Sequence, residues 1–509
     1  MSDFQINKKK IANNTLALYI RTAFSMVISF VAARVTLQQL GVDDYGLNNL
    51  VGSVVTMFSF INGSMGTAVQ RFYNVEIGRN GDDTGQLKKV FGVGLYLHIW
   101  VAVITFILAE IFALFFLSKL NIPSERQFAA QVVFQISVVS LILNILLVPY
   151  TSLLRAREMF AKMATVEIVQ SLLRLGVLFL LIYSSFDKLI TLSLLNMGVT
   201  VFYIVILFIM ARRFKETHVG PCKDKKIISE MLTFISMLIL SLFAQVVKDK
   251  GIVMIINLFF GLALNAAYAV AMQVSNMVST FVLNFQQSVV PQLMSAYGAG
   301  DKKNMISLIN LGTKISIILL LFISLPILVE SNYLLTLWLK TPPEYSPVLV
   351  QLVMINIIMF SFEYFIAQGV HATGKLVRLQ SCCSIIFLMT IVIMYALCST
   401  GCNVYTPMII NIVCSLIVLA ITLAEAKRIY DYKILHFVFR IFLPCIASSV
   451  IIFVILYGLV FMMNPSFIRL VVVVLVSTLL VLFMGGLFIL ESNERKQVWS
   501  IVKGKLFKI

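Results

Sequence analysis

Apolar runs of about 20 residues, the length that crosses the hydrocarbon core of a bilayer, recur from one end of the chain to the other. Reading the 509 residues on that rule gives fourteen expected membrane spans: 11–37, 46–69, 90–118, 128–153, 163–183, 189–210, 229–259, 262–295, 305–329, 347–370, 379–399, 404–425, 440–462 and 468–490. The joining segments are short. The longest, 211–228 and 330–346, leave no room for a soluble catalytic domain. Only 12% of residues are charged and 60% are hydrophobic, whereas soluble proteins carry about 25% charged residues. The expected fold class is an all-α polytopic membrane protein.

The 40 Lys and Arg against 23 Asp and Glu suit cytoplasmic loops, which collect positive charge; nucleic acid is not an expected partner. With the N-terminus cytoplasmic, 29 of the bases fall on the cytoplasmic side and five on the other: Lys119, Arg126, Lys188, Lys340 and Arg469. The remaining six, Arg21, Arg34, Arg174, Lys248, Lys250 and Lys314, lie within spans. An even span count then puts both termini in the cytoplasm. Lys8-Lys9-Lys10 before an apolar run is reminiscent of a signal peptide, but the run is interrupted by Arg21 and too long for one. It is expected to be a retained first span.

The basic loop 211–228 divides the chain. Residues 1–214 are expected to form an N-terminal lobe of six spans and 215–430 a second lobe of six. Residues 431–509 hold two extra spans and a basic cytoplasmic tail. An echo links the lobes. Leu40-Gly41 is followed 37 residues later by Gly78, then by Gly81-Asp82 and Lys88-Lys89; Phe260-Gly261 is followed 37 residues later by Gly298, then by Gly300-Asp301 and Lys302-Lys303. The two copies share a topological position, which fits a parallel repeat of the kind transporters build around a substrate site.

Polar residues gather on a few spans. Glu167, Gln170, Ser171 and Arg174 follow i, i+3, i+4, i+7 along one helix face. Gln273, Asn276, Thr280, Asn284 and Gln287 repeat the pattern, and span seven brings Gln245 and Lys248-Asp249-Lys250. Each has a plainer reading: amides and hydroxyls bond neighbouring helices, Arg174 pairs with Glu167, and Arg34 and Lys314 snorkel to a surface. The Lys248-Asp249-Lys250 group resists that reading. Successive helical side chains diverge by about 100°, so Asp249 serves one lysine well and leaves the other. The clear acids within spans are Glu110, Glu167, Asp249 and Glu363. Bases outnumber them, and a cationic hollow at membrane depth suits a phosphate or pyrophosphate, with Arg as bidentate partner. Asp249, Glu167 and Glu363 are candidates for ion coupling or ion pairing; Gln245, Gln273, Asn276 and Asn284 are candidate cavity-lining residues.

No nucleotide-binding GxxxxGK[ST] motif occurs, and the seven cysteines form no metal-ligand array. No cofactor and no metal are expected. Most cysteines sit inside apolar runs as small hydrophobes; Cys398 and Cys402 lie close together near one helix end. Driving energy is expected from an ion gradient, the membrane potential or consumption of product on the far side.

The run Leu40-Gly41-Val42-Asp43-Asp44-Tyr45-Gly46-Leu47, with Thr67-Ala68-Val69-Gln70-Arg71-Phe72, resembles the start of bacterial polysaccharide flippases. Lys250-Gly251, Asn257-Leu258-Phe259-Phe260-Gly261, Asn265-Ala266-Ala267, Asn284-Phe285-Gln286, Pro291-Gln292, Gly300-Asp301 and Ala372-Thr373-Gly374-Lys375 continue the match in order. These are the O-antigen and exopolysaccharide flippases of the multidrug/oligosaccharidyl-lipid/polysaccharide exporter superfamily. The resemblance implies two six-helix lobes in a V shape. It implies alternating access that moves a polyprenyl-pyrophosphate-linked oligosaccharide to the outer leaflet of the bacterial inner membrane, for lipopolysaccharide or related surface polysaccharide. It implies cationic cavity residues against the pyrophosphate. The positions that match in kind are Arg21, Lys248 and Lys250, followed by Arg34 and Arg174. Membrane lipids and a polysaccharide polymerase or assembly protein are the implied partners, and a single copy the implied working form.

Three alternatives stand beside this reading. A cation-coupled drug exporter of the same fold needs N-terminal-lobe carboxylates, for which Glu110 and Glu167 are available. A lipid II flippase shares the fourteen-helix plan. A membrane-embedded polysaccharide polymerase needs large outer loops, and here only Glu344 or Glu330 is available in the longest. The chain is expected not to be an enzyme.

Overall fold

The computed structural model describes residues 8–57, 60–81, 84–116, 124–492 and 494–496, and all regular structure among them is helical. In lipid every backbone N–H and C=O must be satisfied within its own segment, which leaves the helix as the way for these runs to cross. The order is α1 (Lys8–Met57), α2 (Phe60–Asn80), α3 (Thr84–Phe116), α4 (Gln127–Ala156), α5 (Phe160–Leu180), α6 (Lys188–Ala211) and α7 (Lys225–Gly298). Then come α8 (Lys302–Leu339), α9 (Ser346–Thr373), α10 (Val377–Ser399) and α11 (Thr406–Tyr430), followed by α12 (Ile434–Met462) and α13 (Phe467–Ile489). Among the described residues, eleven stretches are long and apolar enough to cross a membrane. The expected span 11–37 falls on α1, 46–69 is divided between the end of α1 and the start of α2, and 262–295 falls on the second limb of α7.

Two expected breaks differ from the sequence reading. The turn placed at 38–45 is helical, and α1 continues to Met57; no proline interrupts it. The break between spans seven and eight is present but takes no loop. It is a kink at Gly261, with φ 79° and ψ −174°, inside one hydrogen-bonded run. That backbone region is open essentially to glycine alone.

The chain forms two compact units, residues 10–235 and 236 onward. In the first, α4 is the central helix and packs on α2, α3 and α6, with α5 against α6. Phe134, Val133, Val138, Ala109 and Leu189 make one of its buried clusters. The loop after α6 is tied down: the Cys222 amide donates to the Gly92 carbonyl of α3 at 3.0 Å, and Arg157 reaches buried Glu216 at 2.6 Å. Arg126, just before α4, holds Asp44 of α1 and Asp187 at 2.5 Å. Asp187 also caps α6, accepting from the amides of Leu189 and Ile190 at 3.0 and 3.1 Å.

In the second unit, α9 packs on α8 and α11, and α10 on α11. Close approach is set by small residues: a Cβ on Gly369 would meet the Ile309 side chain at 2.7 Å and the Tyr430 hydroxyl at 2.8 Å. The two last spans both pack on α8, while Val474, Leu475, Leu479, Leu482 and Phe483 leave a broad apolar face of α13 exposed.

Gly261→Ala has room for its methyl group, so backbone strain alone should destabilise it, by about 1–3 kcal/mol, read as a lower thermal midpoint in detergent. Burial alone would raise the Asp187 carboxyl. The Ile190 amide, Arg126 and the Leu189 amide outweigh it and hold its pKa below the ordinary 3.8. Its contribution is therefore full above the ordinary aspartate range and lost as pH falls through the lower folded value. Asp187→Asn should show a smaller drop in thermal midpoint than the parent between pH 5 and pH 3, conditions set by the reference aspartate pKa of about 3.9.

Candidate functional site

In the second unit the charged triplet of α7 is split by helix geometry. Lys248 is buried. Its ammonium donates to Asn411 Oδ1 of α11 at 3.0 Å, lies 5.0 Å from the centre of the Phe387 ring of α10, and stands 3.6 Å from Asp249. Lys250, turned away from it, is exposed, and among the described residues it has no ion-pair partner. A polar seam continues from Asn411 between α11 and α9. Ser415 Oγ donates to Asn356 Oδ1 at 2.8 Å, and Thr422 Oγ1 donates to buried Glu363 at 3.1 Å. Asn411, Ser415 and Thr422 share one face of α11, so the seam follows from helical spacing once α9 and α11 pack.

The other candidates scatter. Gln245 is half-buried, Gln273 and Asn276 are exposed, and Asn284 is buried. Buried Gln286, which the stripe did not include, donates to Ser361 of α9 at 3.3 Å.

In the first unit, Glu167 of α5 pairs with Arg21 of α1 at 2.5 Å. The pairing expected within α5, Glu167 with Arg174, does not form. A cross-helix arginine meets the carboxylate directly. Arg174 is exposed, and among the described residues it has no ion-pair partner. The side chain of Arg34 lies outside the described ones.

Two buried ion pairs were not legible in the sequence. Lys314 of α8, expected to snorkel, is 1% exposed and meets Glu494 at 2.8 Å and Glu491 at 3.7 Å. Arg469, counted as an outer-loop base, donates to buried Glu330 at 2.6 Å and to the Met463 carbonyl at 3.0 Å. Glu330 sits where α8 departs from helical geometry, buried in this pair rather than exposed in an outer loop. The acids at 491 and 494 in an otherwise basic tail were the one available signal. Cys398 and Cys402 are free thiols with sulfurs 3.3 Å apart.

No family model matches the sequence, and no curated protein matches it. The fold has clear counterparts. A crystal structure of a MATE mutant superposes with a TM-score of 0.70 over 83% of this chain and 96% of that one, at 12% identity. An outward-facing multidrug-resistance MATE family transporter of the MOP superfamily superposes with a TM-score of 0.70, over 83% and 95%, at 11% identity. A MOP superfamily transporter from Pyrococcus furiosus, described as having a binding pocket of reversed polarity, gives 0.65 over 83% and 95%, at 10% identity. This chain has a MATE-like fold. Helix packing sets that likeness; at such identities side chains are not aligned by it.

Breaking a buried pair leaves an uncompensated charge, at a cost of about 3–5 kcal/mol. Glu330→Leu should therefore lower stability by that order in detergent denaturation, and adding Arg469→Leu should restore most of it.

Proposed function

We propose that this chain of MATE-like fold is a transporter that flips a polyprenyl-pyrophosphate-linked oligosaccharide from the inner to the outer leaflet of the bacterial inner membrane. The observation that carries the reading is the unequal fate of the charges within the spans. Arg21 is neutralised by Glu167, and Lys248 is held by Asn411 and Asp249. Lys250 and Arg174 are exposed and have no ion-pair partner among the described residues. A cation at membrane depth costs about 2.5–3.5 kcal/mol by insertion scales. A phosphate-bearing headgroup supplies the missing anion. Lys248, fixed by a side-chain amide and an aromatic face, orients the helix turn that presents Lys250. Lys250 meets the headgroup as a mobile point charge.

A drug exporter of the same fold is the second reading, favoured by the multidrug-resistance neighbour. The charge balance favours the first. An organic cation would meet the same uncompensated bases and be repelled, and the Pyrococcus protein of this fold is described as having a pocket of reversed polarity that suggests a different function. The expected setting is surface polysaccharide biosynthesis, with both termini cytoplasmic.

The test is translocation of a fluorescent polyprenyl-pyrophosphate oligosaccharide by the reconstituted chain in liposomes. Lys250→Ala and Lys248→Ala should slow it about 10- to 100-fold, the worth of one hydrogen bond to a charged group, with folding intact. Cation efflux without lipid translocation would turn the reading to drug export.

A further inference from the structure

The cytoplasmic ends expected for the last two spans enclose a cavity of about 440 Å³ that the transport reading does not use. Its basic walls are His436 and Arg440, one helical turn apart on α12, and Arg495 beyond α13; Leu487 and Phe488 of α13 complete it. Two features make it more than a cluster of surface bases. First, both helices widen into π turns at this place, Val438–Phe442 in α12 and Gly485–Ile489 in α13. Single π turns inside α-helices are uncommon and are frequent at functional sites. Second, the segment after α13 sorts its charges. The Glu494 carboxylate takes the Lys314 ammonium at 2.8 Å and the Glu491 amide at 2.8 Å. Glu491 also lines the cavity, and its carboxylate stands 3.7 Å from Lys314. The acids are thus engaged by a buried lysine, while Arg495 is exposed.

The flanks are apolar and exposed: Leu487 and Phe488 are 49% and 61% exposed, and Leu435 and Phe439 flank the basic pair on α12. A ligand that fits must carry negative charge at one end and hydrocarbon at the other. We propose that this cavity binds an anionic phospholipid by its phosphate headgroup, with Arg440, Arg495 and His436 around the phosphate and the acyl chains along Phe488 and Leu487. Arginine suits a phosphate because its planar fork donates two parallel bonds. Acyl chains lying on an exposed apolar wall add burial that free phosphate cannot.

The test is native mass spectrometry of the full chain in detergent, titrated separately with phosphatidylglycerol, phosphatidylcholine and inorganic phosphate. Phosphatidylglycerol should bind about tenfold tighter than phosphatidylcholine, and inorganic phosphate should not compete at equal concentration. The double variant Arg440→Gln/Arg495→Gln should bring the lipid ratio close to one. Arg440→Lys should keep part of it, and Lys340→Gln, an exposed base elsewhere, should keep all of it. Thermal midpoints establish that each variant is folded, and the single variant Arg495→Gln, in a surface segment, carries the reading if the double variant is not. Equal affinity for both lipids, a ratio that survives loss of both arginines, or phosphate displacing lipid would each overturn the proposal. Because the readout is lipid binding, it stands or falls separately from oligosaccharide translocation.

Discussion

A charge inside a membrane span has no water to fall back on, so it must find its partner within the protein. This structure is arranged around that requirement. Lys314 is sunk in α8 and compensated by acids from beyond α13. Arg469, in the first turn of α13, reaches Glu330 on α8. These two contacts fasten α13 and the segment after it onto α8. Buried ion pairs add little net stability over well-packed apolar residues. What they fix is position, because each mispacking would strand a charge.

The same rule gives the exposed bases their meaning. Arg21 and Lys248 are accounted for by neighbours, and Lys250 and Arg174 are left for something else to compensate. A phosphate-bearing substrate fills that role in the proposed transport reading. At the far end of the second unit, Arg440 and Arg495 sit beside apolar exposed surface, where a lipid phosphate is the available anion. The polar seam of Lys248, Asn411, Ser415, Asn356, Thr422 and Glu363 links α7, α9 and α11 within the second unit.

Much of the architecture was legible because the periodicity of apolar runs is a one-dimensional signal. Eleven of the expected spans appear as helices able to cross a membrane among the described residues. The break near residue 260 was visible as a glycine between two apolar runs. The continuation of α1 through 38–45 was not, since Gly41, Asp43 and Asp44 read locally as a turn. Asp44 instead finds Arg126 across the fold, which no local pattern displays.

The sequence by itself determined the class of protein, the number and placing of most apolar helices and the excess of base over acid, because burial in lipid acts on each run separately. Only the tertiary structure decided which charges are spent and which remain. Glu167 went to Arg21 of α1 rather than to its neighbour two turns away, and Lys314 went to a tail some 180 residues distant. Such pairings depend on distances between helices, and the order of residues along one helix carries no record of them.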